Sequence, residues 1–487
     1  MPPNMTENQQ ETVLDPSLSP VSSGTVPISI SEYTKALIKA WHLGVTKPIT
    51  AKTKISVSQT VSFLAFLYEK MRNAVEFREE HLIRRASIER IIKRRLLLND
   101  NGRDISESLI KELLWARYYE NNTLGEEKIG EIQAIIDKYF FFRNELAKGR
   151  ASKDGDKINT FMIEVLSCEI EENLSPDLRH EAMTNYVYQM LRLYIAPFKD
   201  ADEEERDVQV YIAIQKVFVH NDNPLIRFHL LKLMLPEITH IRWQNSDEIL
   251  TKLYEVFNKI ETDLVHPLTV KTRNIIKKQI APFLILRDIF EQNSNDIEAI
   301  LTDENKLKAK VDESCRKRYD ESRDKLRRTA VRSFIYILLT KVIFALLLEI
   351  PYDLYIQKSI SYIPLAINII FPPILMALII LTVSIPGDDN TKRIFQLIKG
   401  ILADNPLISQ PLGSVVIARK YKQKGFAFTA IFSLIYLFTY LFSFGSIIYI
   451  LTLLKFNPIS QGIFIFFITL VTFFAYRVIS ITHEYLA

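Results

Sequence analysis

Lys341, Asn368 and the pair Pro372 and Pro373 are the residues of this 487-residue chain whose types and places could do chemistry, because all four stand inside long apolar segments. Lys341 lies nine residues after Arg332 and nine before Ile350, near the middle of its segment. A cation at that depth of a bilayer costs about 3 kcal/mol or more and normally faces protein or water. The two prolines remove backbone donors and free the carbonyls of Asn368 and Ile369. Together these groups could form an ion or substrate station. The other reading is a lysine that snorkels along a lipid-facing helix. Glu349 and Asp353 fall near the end of the segment, where hydration is expected, so no partner for the lysine is evident.

Elsewhere the usual chemistry is missing. The eight histidines are scattered and none has the spacing of a zinc site. There is no GxxxxGK[ST], GxGxxG or GxSxG, so phosphate cradles and a serine nucleophile elbow have no support. Cys168 and Cys315, the two cysteines, suit a reducing compartment better than a disulfide framework. No enzyme activity and no cofactor are expected. A net charge of +4 over this length does not point to nucleic acid.

Four apolar runs, 333–350, 360–385, 426–454 and 463–481, are each near or above the roughly 18 to 20 residues that cross a hydrocarbon core. Gly is scarce, at 13 residues, which favours long helices, so the expected fold is all-α. Residues 1–30 read as a disordered tail, 31–295 as a cytoplasmic helical domain, 296–330 as a helical stalk and 331–487 as a four-span transmembrane domain. Orientation follows the cations: Lys325, Arg327, Arg328 and Arg332 precede the first span, and seven more Lys and Arg sit between the second and third. The short turns carry only Lys358 and Lys455. This places both termini and the central loop in the cytoplasm of a cell whose inner membrane holds the spans.

Within the central loop, residues 391–403 form an amphipathic helix. Phe395, Leu397, Ile398, Ile401 and Leu402 share one arc opposite Lys392, Arg393 and Lys399. Such a helix either lies in the interface, with these cations on anionic headgroups, or caps the bundle.

In the polar two-thirds of the chain, 58–99 contains no Pro and no Gly before its end and reads as one helix. Its basic clusters, Arg84 with Arg85 and Lys93 with Arg94 and Arg95, could meet phosphate or headgroups. Glu80 and Glu89 stand four residues before Arg84 and Lys93, which favours a self-paired solvated face. From Pro176 on, prolines bracket helices at 176–197, 224–236 and 267–282, with second helices between. That spacing allows HEAT-type stacking, although proline opens helices in any α protein. Residues 296–349 lack Gly and Pro and read as one rod of about 80 Å entering the membrane.

The run 68–95, YEKMRNAVEFREEHLIRRASIERIIKRR, followed far downstream by a membrane domain, resembles a set of uncharacterised multi-pass membrane proteins of small-genome candidate-phylum bacteria. The resemblance implies a bacterial cytoplasmic membrane and brings no activity or site residues. The reading that joins these observations is a membrane-anchored cytoplasmic scaffold that contacts lipid and a protein partner. A small transporter or channel component using the first two spans is the alternative.

Overall fold

Proline and acidic caps set many of the helix starts in the computed structural model. It describes residues 28–44, 53–58, 63, 66, 69–70, 79–97, 102, 104–148, 152–195, 203–239, 247–358, 362–383, 386–403 and 426–482. Among the described residues the protein is all-helical, 84% helix, with no strand. The expected tail, 1–30, lies outside them except for 28–30, where Ile28 and Ile30 are buried.

The polar part is built from α1 (Glu32–Leu43), α2 (Glu80–Leu96), α3 (Ser106–Trp115), α4 (Glu127–Ala147), α5 (Ser152–Leu174), α6 (Leu178–Tyr194), α7 (Glu203–Val217), α8 (Asn223–Met234), α9 (Asp247–Leu264), α10 (Thr269–Gln279), α11 (Ala281–Gln292) and α12 (Ile297–Leu301). Asp177 and Asp222 cap α6 and α8 by accepting backbone N–H groups. Within 58–99, Glu79 is extended and α2 begins at Glu80, so the long helix expected there is interrupted.

Two apolar cores result. One joins α2 to α5 with α8 and α9, around Ile88, Leu109, Phe142, Leu166 and Phe228. The other joins α1, α6, α7, α10 and α11 to the start of the next helix, α13 (Glu304–Phe344). The rod expected from 296 is broken, because Asp303 caps α13 by accepting the N–H groups of Asn305 and Lys306. Leu307, Val311, Cys315 and Tyr319 of α13 are buried in the second core, and Arg318 holds the buried Asp288 of α11 through two hydrogen bonds of 2.6 and 2.5 Å.

Among the described residues four helices are long and apolar enough to cross a membrane: Glu304–Ile356, Tyr362–Thr382, Phe428–Leu453 and Pro458–Tyr476. α13 continues beyond Phe344 through a π-helical turn at Ala345–Glu349, a short α turn at Ile350–Tyr352 and a second π turn at Asp353–Gln357. α14 (Tyr362–Thr382) keeps Pro372 and Pro373 inside it, and α17 (Pro458–Thr482) packs against both α13 and α14. α16 (Phe426–Leu453) stands at the edge, with 6% of its apolar window buried.

Between the second and third spans, α15 (Asp388–Leu402) returns to the polar body. Its apolar face, Ile394, Phe395, Ile398, Ile401 and Leu402, is buried in the second core against α11 and α13. Of the two readings of this face, in lipid or packed on protein, the structure has the second, with the body rather than the bundle as its seat. Burying it against protein removes the same apolar area from water, and α11 and α13 supply a complementary groove. Lys392 and Lys399 point outward, and Lys399 pairs with Glu304 at 2.8 Å. Arg393 is exposed.

Candidate functional site

Every fourth residue of the first span is buried: Ile337, Lys341, Ala345, Glu349 and Asp353. A regular α-helix cannot keep a repeat of four on one face, because each step of four turns the row by about 40°. The two π turns take extra residues into the helix and bring the row back. Residues eight apart would otherwise sit about 80° from one another around the axis.

That geometry gives Lys341 a partner. Its Nζ stands 2.9 Å from Glu349 Oε1, with the two side chains 0% and 1% exposed. The ammonium also lies over the Phe467 ring, 4.8 Å from its centre. The snorkelling alternative does not describe this lysine, and Glu349 is buried rather than exposed at the end of the segment. The freed carbonyls of the proline pair are likewise not what the lysine reaches, since the helix irregularity delivers a carboxylate from its own span.

Two other spans complete the cluster. Asn368 Nδ2 donates to Glu349 Oε2 at 2.8 Å and to the Ser460 carbonyl at 3.3 Å. The Ser460 hydroxyl donates to Glu349 Oε2 at 3.4 Å. Nearby, Asn457 Nδ2 donates to Asp353 Oδ1 at 2.7 Å, and Asn457 Oδ1 accepts the Ser460 N–H, also at 2.7 Å. The N-terminal turn of α17 is thereby clamped to the end of the first span. All six side chains are buried. One atom remains unserved: Asn368 Oδ1 has no hydrogen-bond partner among the described residues.

Removing a charge pair from water is expensive and is repaid only with good geometry and further hydrogen bonds. Here each carboxylate oxygen of Glu349 is bonded, one to the lysine and the other to Asn368 and Ser460. The arrangement can fix three of the apolar helices in one mutual register, or offer Asn368 Oδ1 as a hydrogen-bond acceptor to a small polar group. Pro372 and Pro373 are buried in α14 and take part in none of these hydrogen bonds. Among the described residues no group of three or more His, Cys, Asp or Glu could hold a metal ion.

Of the residues singled out from sequence, Lys341 and Asn368 come together, through Glu349. Lys392, Arg393 and Lys399 stand apart on α15. Asn457 and Ser460 join the Lys341 cluster without a sequence signal, and Glu349 and Asp353, expected to be hydrated, are buried. A signal for Glu349 and Asp353 did exist, because an acidic residue in an apolar run needs a partner.

The basic clusters of α2 are paired more widely than spacing alone implies. Arg84 joins Glu80 and Glu171, Arg85 is buried against Glu89 and Asp222, and both Arg94 and Arg95 meet Glu112. Compared with protein-family models, curated proteins and solved structures, the chain matches none.

Proposed function

We propose that the chain is a membrane-anchored helical scaffold, with its polar body on the cytoplasmic face of a bacterial inner membrane, where it docks a protein partner. One observation carries this reading: the body is fastened to the bundle twice, by the unbroken passage of α13 into the first span and by α15 seated in the body's core. A single tether would let the body swing. Two fastenings present it at a fixed height and orientation, which suits a docking platform. The cation-rich segments flanking the spans support the cytoplasmic placement, and the Pro-bracketed helix pairs support a solenoid-like surface for a partner.

The test is photo-crosslinking in intact cells of the full chain, with probes spread over the exposed surfaces of α3 to α9. A discrete partner crosslinked from the body, and lost when α15 is unseated by Ile398→Asp, is expected. Absence of any discrete product from all body positions would refute the scaffold.

The second reading is a transporter or channel component. It is favoured by the spare acceptor, Asn368 Oδ1, beside the Lys341 and Glu349 pair within the bundle. Ion or solute flux in proteoliposomes that is lost in Asn368→Leu with folding preserved would establish it. No flux in the wild type would remove it.

A further inference from the structure

Three histidines far apart in sequence, His81, His180 and His229, line one cavity of about 420 Å³ in the polar body. The cavity lies where the two apolar cores meet, between α2, the end of α5, α6, α7 and α8. Its size is within the range that takes a small molecule.

Polar side chains in the wall are ordered by their own bonds. His81 Nε2 meets Asn221 Oδ1 at 2.8 Å, and Asn221 Nδ2 donates to Gln215 Oε1 at 2.7 Å. His229 Nδ1 stands 3.4 Å from the Tyr211 hydroxyl. His180 Nε2 is buried and has no hydrogen-bond partner among the described residues. Burial, first, pushes the titration of His229 down to about 4, and that of His180 down as well. Both imidazoles are therefore neutral near pH 7; the acceptor nitrogen of His229 is shared with the Tyr211 hydroxyl, while the unbonded Nε2 of His180 is the acceptor that the wall leaves over.

Charge around the cavity is one-sided. Six carboxylates line it, those of Glu79, Glu80, Glu171, Glu172, Asp177 and Glu181, against the cations Arg84 and Lys232. Arg84 is engaged by Glu171 and Glu80, and Lys232 by Glu172. The remaining lining charge is negative, and a low-dielectric concavity concentrates its field.

We propose that this cavity binds a small organic cation carrying primary ammonium or guanidinium groups, whose N–H donors meet the imidazole and amide acceptors while the carboxylates balance its charge. The ligand would span the seam and hold the two cores together. The proposal stands apart from the scaffold reading and from the intramembrane cluster.

The experiment is isothermal titration of the full chain in lipid nanodiscs with spermidine and with agmatine, using inorganic phosphate as the anionic control. At least one amine should bind and phosphate should not. Glu79→Gln and Glu181→Gln, both exposed at the rim, should each weaken that binding by about two- to fivefold. Asn185→Trp, which places bulk at the mouth, should abolish it. Melting of each variant at the wild-type temperature shows that the fold is intact. Binding of phosphate in place of the amines, no heat with either amine, or amine affinity unchanged in all three folded variants would overturn the assignment.

Discussion

The backbone N–H of Ser31, which caps the first helix, donates to the carbonyl of Leu402, the last residue of α15, at 2.9 Å. Ile28 N–H similarly meets the Thr302 carbonyl at 2.9 Å, just before α13. The segment 28–31 that leads into α1 is thus tied to the connection between the second and third apolar helices. Two apolar helices of spanning length separate that connection from the body, an even number, so a chain that crosses a membrane with both of them keeps connection and body on one side.

Topology reporters test this geometry directly. Fusions after Gly387 should report the same side as the N-terminus, and fusions near Tyr355 and Lys455 the opposite side. Opposite readings for Gly387 and the N-terminus would be incompatible with the seat of α15.

A fragment of residues 28–295 should fail to fold cooperatively. Its second core lacks Leu307, Val311, Cys315 and Tyr319 of α13 and the five apolar side chains of α15. Each buried side chain of this kind is worth about 1.5 to 3 kcal/mol. Circular dichroism melting should show a broad transition or aggregation for this fragment. Residues 28–326 with 386–403 appended by a flexible linker should melt sharply. A sharp melt of the shorter fragment would show that its core closes without the membrane domain.

Lys341→Leu should destabilise the bundle by about 3 kcal/mol, because it leaves Glu349 buried without its cation. The double change Lys341→Leu with Glu349→Leu should recover most of that loss. Regarded as an isolated mid-depth charge, the lysine would be dispensable; its pairing with Glu349 reverses that expectation. Reversible unfolding in mixed micelles measures both, and additive losses in the double variant would contradict the pairing.

Stability of the body should fall as pH drops below about 6.5 and level off near pH 4, in the part due to His229. The reason is the sign of its shift: buried and held down to about 4, the folded ring stays neutral while the unfolded ring takes a proton. The full effect is on the order of 3 kcal/mol. Glu164 and Glu171, raised by burial, work in the opposite direction, so the difference between wild type and His229→Gln isolates the histidine. Parallel melting curves for the two proteins from pH 7 to 4.5 would exclude this contribution.

Much of the architecture is legible in the chain because apolar length, proline brackets and helical periodicity act locally. The four spans, the helices between proline pairs and the apolar arc of α15 all follow from such signals. What α15 packs against does not, since an apolar face is equally satisfied by lipid or by α11 and α13. The breaks at Glu79 and at Asp303 also escape a search for Gly and Pro. At the second, an Asp with free N–H groups following it is a cap that could have been recognised. Lys341 announces itself by depth, but its partner depends on π turns that no residue type marks. The three cavity histidines are joined only by tertiary packing.

The irregular turn at Ala345–Glu349 makes the first span asymmetric in its tolerance of length changes. Deleting one residue among 345–348 would let the turn relax to a regular helix, and the lysine and glutamate, then seven apart, would still face one another within about 20°. Adding a residue has no such refuge, because the wide turn already holds the surplus. Random single-codon insertions and deletions along 342–348 should therefore segregate, with shortened chains retained in the membrane and lengthened ones lost.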